Sequence, residues 1–131
     1  MARKIDKLIS LLLSKNSSIP SICKNEEIEI LETGMLSIEG VCISCFDDKF
    51  IVLSNSLTEL SKDFVTSHEL GHALLHDDDL LFLKKNTFFS SRKLEDEANL
   101  FAMNLLTGLN KNYEIESEKD LEIIEQINKL K

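Results

Sequence analysis

Proline and glycine are scarce, one and four in 131 residues, so no stretch has the composition of a long disordered linker. One compact domain over residues 1–131 is the expectation. Arginine is also rare: only Arg3 and Arg92 occur, and the formal net charge is −8. Binding to nucleic acid or to an anionic membrane surface draws on clustered Lys and Arg, so direct contact with either is not expected. No apolar run approaches the ~20 residues of a membrane span, and Leu11 to Leu13 is too short for the core of a secretion signal. These absences point to the cytoplasm. Cysteine is limited to Cys23, Cys42 and Cys45, an odd set that suits a reducing compartment better than a disulfide framework. Cys42 and Cys45 form a CxxC, but the alternation from Gly40 to Phe46 reads as a strand with the two side chains on opposite faces. Without a second pair, a cysteine metal knuckle is excluded.

What is present is apolar periodicity of two kinds. Ile5, Leu8, Ile9 and Leu12 recur at helical spacing, which predicts an amphipathic helix over residues 3–14 packed on the core. A polar break from Asn16 to Pro20 follows. Three strand-like runs come next, Glu27 to Leu31, Glu39 to Phe46 and Lys49 to Ser54, with a turn at Asp47-Asp48, and together they predict a short antiparallel sheet. Leu60 to His76 returns to helical spacing, with Phe64, Val65, His68, His72 and Leu75 on one side and Ser61 as the candidate cap. Asp77 to Lys93 has no clean period and reads as a long connection folded against the body. Leu94 to Leu106 is helical again, with Ala98, Phe101, Ala102 and Leu105 facing inward. Ser117, three residues before Asp120, marks the start of a last helix carrying Leu121, Ile124, Ile127 and Leu130. The fold class is α+β.

His68-Glu69-Leu70-Gly71-His72 is an HExxH. Residues four apart on a helix lie about 6 Å apart along the axis and about 40° apart around it, so two imidazoles so placed can grip one zinc ion. Glu69 is rotated away from the metal but within reach of its water, the position of a general base. Val65, Ala73, Leu74 and Leu75 make the helix apolar and buried, and Gly71 leaves an opposing backbone room to approach. The bland alternative is a buried helix whose histidines simply find hydrogen-bond partners. A catalytic zinc takes three protein ligands. His76 lies about 12 Å along the axis from His68, too far to share one ion, and is expected to orient a neighbouring group or satisfy a core hydrogen bond. Leu94 to Ala102 supplies carboxylates instead. Glu95 shares the face of Ala98 and Ala102, whose small side chains let helices approach, while Glu97 points roughly 200° away. Glu95 is the better placed third ligand and Glu97 the alternative; the other glutamate is expected as an exposed charge at the helix start.

The two motifs His68-Glu-Leu-Gly-His-Ala-Leu-Leu-His76 and Glu95-x-Glu-Ala-Asn-x-Phe-Ala102, preceded by the strand Phe50-Ile-Val-Leu-Ser54, resemble the ImmA/IrrE family of metallo-endopeptidases from about Gly40 to Leu106. The resemblance implies a small zincin-like domain with zinc (Zn2+) held by His68, His72 and Glu95 and with Glu69 as catalytic base. It also implies a protein partner, a helix-turn-helix transcriptional repressor of a mobile element, prophage or stress regulon, which such proteins cleave. Glu95-Asp-Glu-Ala98-Asn99 is similar as well to the ExxAD pattern of prenyl-protein-processing membrane proteases, whose first glutamate binds zinc. Asn99 stands where that pattern has Asp, and it can still hydrogen-bond a zinc-binding histidine from behind. Thr107-Gly108 departs from the Met-Pro that often follows Leu-Leu in the family, so the helix exit is expected to differ. No basic DNA-binding extension or sensory domain is expected.

In that reading Arg92, Tyr113 and His76 are the candidates to stabilise the tetrahedral oxyanion, and an extended substrate adds to a sheet edge near Phe50 to Ser54. Two other functions compete. One is a regulatory protein that binds a repressor without cutting it; the other is a general peptidase of unstructured chains.

Overall fold

In the computed structural model, which describes residues 2–34, 37–76 and 92–130, five helices and a three-stranded sheet form an α+β fold among the described residues. The order is α1 (Ala2–Lys15), α2 (Ile19–Asn25), β1 (Ile28–Thr33), β2 (Gly40–Cys45), β3 (Asp48–Ser54), α3 (Glu59–Leu75), α4 (Arg92–Leu109) and α5 (Glu118–Leu130). Of the connection expected over Asp77 to Lys93, residues 77–91 lie outside the described residues, and Arg92 and Lys93 open α4. No described helix is long and apolar enough to cross a membrane.

The helical periods of α1, α3 and α4 appear where the apolar spacing places them, but α5 is a correction: it turns Leu121 and Leu130 outward and buries Ile123 beside Ile127, because Asp120 anchors its inner face. Ile5, Ile9 and Leu12 of α1 are buried, as are Leu60, Val65 and Leu70 of α3, Phe101 and Leu105 of α4, and Ile123 and Ile127 of α5. α4 runs through Thr107-Gly108 to Leu109. Helix α2 is a correction: it begins at Ile19 and Pro20, the last two residues of the expected polar break, and continues to Asn25. Ser18 caps it by accepting from the Ser21 N–H, Pro20 sits in the first turn where its missing N–H costs nothing, and Ile19, Ile22 and Cys23 are buried.

The sheet is also corrected, from antiparallel to mixed. β2 and β3 form the expected antiparallel hairpin, from Gly40 opposite Leu53 to Cys45 opposite Asp48, but β1 pairs with β3 in parallel, Ile28 opposite Lys49 through Thr33 opposite Ser54. The strand order is therefore β1-β3-β2. The hairpin returns its second strand into the space between the first two, and that strand carries the fully buried Ile51 and Leu53. Its two-residue tip is Phe46-Asp47, one position earlier than expected, with Phe46 at φ 59° and fully exposed. Cys42 is buried and Cys45 exposed, on opposite faces, and all three thiols are free.

α3 is capped by Thr58, not Ser61: the Thr58 hydroxyl oxygen accepts from the Ser61 N–H at 3.1 Å. Ser61 instead donates its hydroxyl to Asp120 at 3.0 Å, and Thr58 donates to the same carboxylate oxygen at 2.7 Å. Asp120 also accepts from the Glu116 N–H, while Ser117 caps α5 by accepting from the Asp120 N–H. A buried carboxylate thus ties the start of α5 to the start of α3. Tyr113 adds a second tie, donating to Asp63 at 2.5 Å.

Burial pushes the Asp120 carboxyl up, but hydrogen bonds from Thr58, Glu116 and Ser61 outweigh it and hold the group below the usual carboxylate range. A depressed folded pKa contributes stability that is present above the unfolded pKa and lost as pH falls through the folded one. Asp120→Asn should cost about 1–3 kcal/mol at pH 7, and the gap to wild type should shrink below about pH 4. Urea denaturation at both pH values checks this; an equal gap at both would contradict it.

Candidate metal centre

Two helices build the site, and a glycine sets their distance. A Cβ on Gly71 would lie 3.1–3.2 Å from the Phe101 side chain, tighter than ordinary packing, so glycine lets α4 press against α3 in the middle of the HExxH. Ala98 and Ala102, both fully buried, continue the close approach on α4. The first turn of α4 then stands over His68 and His72.

Glu95 reaches both histidines. Its Oε1 is 3.0 Å from His68 Nε2 and its Oε2 is 2.8 Å from His72 Nε2. One ligand atom from each of His68, His72 and Glu95 falls within 4.8 Å of the others, an arrangement that could hold a metal ion. The imidazole rings meet edge to face, centroids 4.9 Å apart. Glu69 is buried beside them, Oε2 at 4.0 Å from His68 Nε2. Behind His68, its Nδ1 lies 2.8 Å from Asn99 Oδ1, the contact the ExxAD likeness suggested.

Glu97 does not approach the histidine pair, and it is not the exposed helix-start charge expected of the second glutamate. It is buried, with Oε1 2.9 Å from His76 Nε2. His76 sits at the C-cap of α3, where the backbone leaves helical geometry, and its Nδ1 comes 3.0 Å from His72 Nδ1. The exposed acid of this turn is Asp96, beside Arg92. The position of Glu97 on the far side of α4 from Glu95 was legible; its partner, 21 residues away, had no local signature.

The donor set fits a metal. His72 Nε2 is buried and makes no hydrogen bond, although Glu95 Oε2 is 2.8 Å away. A bare ring nitrogen against a carboxylate oxygen is a contact of two electron-rich atoms, which a cation between them stabilises. Two imidazoles and a carboxylate are the donors that zinc accepts. Burial, helped by the neighbouring His68, pulls His72 down to about 4 and keeps it neutral. For His68 burial also pulls down, but the Glu95 hydrogen bond and the charges of Glu69 and Glu95 outweigh it and raise the pKa. Burial lifts Glu69 to about 7, with His68 opposing, Glu95 adding and a hydrogen bond from the Cys42 backbone opposing.

His68, Glu69 and Glu95 open onto a cleft of about 310 Å³, walled by Gly40 of β2 and by Phe64 and Val65 of α3, with His72 buried behind them. A Cβ on Gly40 would come within 2.6 Å of Val65, so a second glycine brings the sheet edge to the site. That edge is β2. The expected substrate strand, Phe50 to Ser54, lies in β3, which is hydrogen-bonded on both sides and cannot receive another chain. None of the three expected oxyanion donors lines the cleft. Arg92 projects into solvent, Tyr113 is bound to Asp63, and His76 stands behind His72. Asn99 does line it.

Zinc-loaded wild type should carry about one zinc per chain, and His72→Ala and Glu95→Ala should each reduce this to a small fraction, as mass spectrometry of the desalted proteins would record. Full zinc retention by both variants would rule out this ligand set.

Residues 23–117 match the family model described as Peptidase M78, the IrrE N-terminal-like domain, a stretch that holds the whole sheet and both site helices. The chain is also similar to immunity region protein 2 of Bacillus phage phi105, 48% identical over 60 residues, which cover 45% of this chain and 38% of that protein. It spans well under half the length of that relative. The match over most of the chain, with the two helical motifs inside it, means that the chain belongs to the Peptidase M78 family of IrrE N-terminal-like metallopeptidase domains.

Proposed function

We propose that this protein is a zinc-dependent endopeptidase that cuts a helix-turn-helix transcriptional repressor of a mobile element. The observation that carries the reading is the meeting of His68, His72 and Glu95 around one point, with a buried Glu69 beside them at the foot of an open cleft. His68, His72 and Glu95 would hold a zinc ion, which would supply Lewis acidity for a scissile carbonyl and for a water nucleophile at neutral pH.

The chain's own groups do the rest. Glu69, buried beside the histidines and opening onto the cleft, is placed as the base: its carboxylate takes a proton from the attacking water and passes it to the departing amide nitrogen. The hydrogen bond from the Cys42 backbone fixes that carboxylate against β2. Asn99 Oδ1 accepts from His68 Nδ1–H and so turns His68 Nε2 toward Glu95. An extended substrate pairs with β2, an outer strand of the sheet among the described residues, beginning at Gly40, which lines the cleft.

Two observations support the target class. The relative in phage phi105 bears the name of an immunity region, which fits a role in controlling a mobile element. The net charge of −8, with Glu39, Glu69 and Glu95 around the cleft, favours a basic partner such as a DNA-binding protein while repelling DNA itself.

Purified zinc-loaded protein incubated with the repressor encoded beside its gene should yield two fragments by mass spectrometry. Glu69→Gln should keep its zinc and slow cleavage by about 10²–10⁴-fold. Derepression that survives in Glu69→Gln, with the repressor intact, would show a binding protein instead.

A further inference from the structure

Three buried side chains stand in line behind the cleft: Glu97, His76 and His72, exposed by only 8%, 5% and 2%. Glu97 Oε1 is 2.9 Å from His76 Nε2, and His76 Nδ1 is 3.0 Å from His72 Nδ1. Each contact is a hydrogen bond, and each has one donor and one acceptor. An ionised carboxylate only accepts, so His76 Nε2 carries the hydrogen. A neutral imidazole has one N–H, which leaves a lone pair on His76 Nδ1. With both rings neutral, His72 donates from Nδ1, and its Nε2 faces His68 and Glu95 without a hydrogen. This agrees with the buried Nε2 that makes no hydrogen bond.

Packing alone does not call for this arrangement. A carboxylate and two imidazoles in the interior cost several kcal/mol in lost hydration unless every one is paired, and apolar residues of the same size would avoid that cost. Glu97 is also the residue that the helical pattern assigns to the face away from the metal ligand. Its burial against His76 at the end of α3 extends the chain of contacts one step beyond His72.

We propose that Glu97 and His76 are positioning residues, a two-step relay that holds His72 in the Nδ1–H tautomer, aims its Nε2 into the site and thereby sets the affinity for metal. The proposal rests on the reading of His72 as a ligand. His68 is held by the neutral Asn99, so the two ligand histidines have outer partners of different charge: an amide for one, a carboxylate through an intervening ring for the other.

The test uses the full chain as wild type, His76→Phe, Glu97→Leu and Glu97→Gln, each checked for folding by its thermal melt. Long-range 1H–15N spectra of the metal-free proteins report which ring nitrogen of His72 is protonated. Nδ1 is expected in wild type and Glu97→Gln, whose amide oxygen still accepts from His76; the proton should move to Nε2 in His76→Phe, where Glu95 draws it. Competition with a zinc chelator then gives the affinity, expected to fall about 10–100-fold in His76→Phe and Glu97→Leu and to stay close to wild type in Glu97→Gln. A His72 protonated on Nε2 in wild type, or folded His76→Phe and Glu97→Leu with undiminished affinity, would overturn the relay. Wild type that takes up no zinc would sink the ligand reading and the affinity half of the proposal, while the metal-free spectra would still decide the tautomer.

Discussion

The contact of Gly71 with Phe101 is the constraint on which the site depends. A side chain at Gly71 would push α4 away from α3 one residue before His72, and Glu95, carried on the first turn of α4, would move with it. Gly40 plays the corresponding part on the other side, where the absence of a side chain lets β2 lie on Val65. Two small residues thus fix the separation of three elements. The cleft, with His68, Glu69 and Glu95 in its lining, and the approach of β2 to it follow from those two contacts. Asp120 supports the same frame from a distance by tying the start of α3 to the start of α5.

Bringing the elements together has an electrostatic consequence. His68, His72, His76, Glu69 and Glu97 are all wholly or largely removed from water, with Glu95 between them and the solvent. Burial alone would neutralise such groups, which explains the low pKa of His72 and the high one of Glu69. Outer partners hold two ring nitrogens, Asn99 on His68 and His76 on His72, and leave both Nε2 atoms aimed at Glu95. A divalent cation at that point would take both ring nitrogens and the carboxylate as partners and make the buried cluster a favourable one. The same carboxylates that would bind it give the cleft its acidic character.

Much of this was legible in the sequence because the cluster follows local geometry. A helix places His68 and His72 together by their spacing of four, and the shared face of Glu95, Ala98 and Ala102 points to the glutamate that meets both of them. Asn99 followed from the likeness to the ExxAD pattern rather than from geometry, and it does meet His68 Nδ1. What the sequence could not convey is long-range. Alternation with period two tells which strand faces are buried, not which strands are neighbours, so the central position of β3 and the parallel pairing of β1 were missed. Helix α2 is only seven residues long, too short for a period, and its Ser18-Pro20 start was read as a break. Thr58 and Ser61 are equally good caps by type, and only the position of Asp120 separates their roles. Glu97 looked solvent-facing because its partner sits on another helix.

The central claim, that packing α4 onto α3 makes a site of two imidazoles and one carboxylate for a single zinc, is tested most directly by X-ray absorption at the zinc edge of the loaded protein. The account predicts a shell of nitrogen and oxygen at about 2.0–2.1 Å, with the multiple-scattering pattern of two imidazoles and no sulfur. A sulfur shell near 2.3 Å would place the metal on the cysteines, and a shell without imidazole scattering would place it on surface carboxylates. Either result would contradict the account.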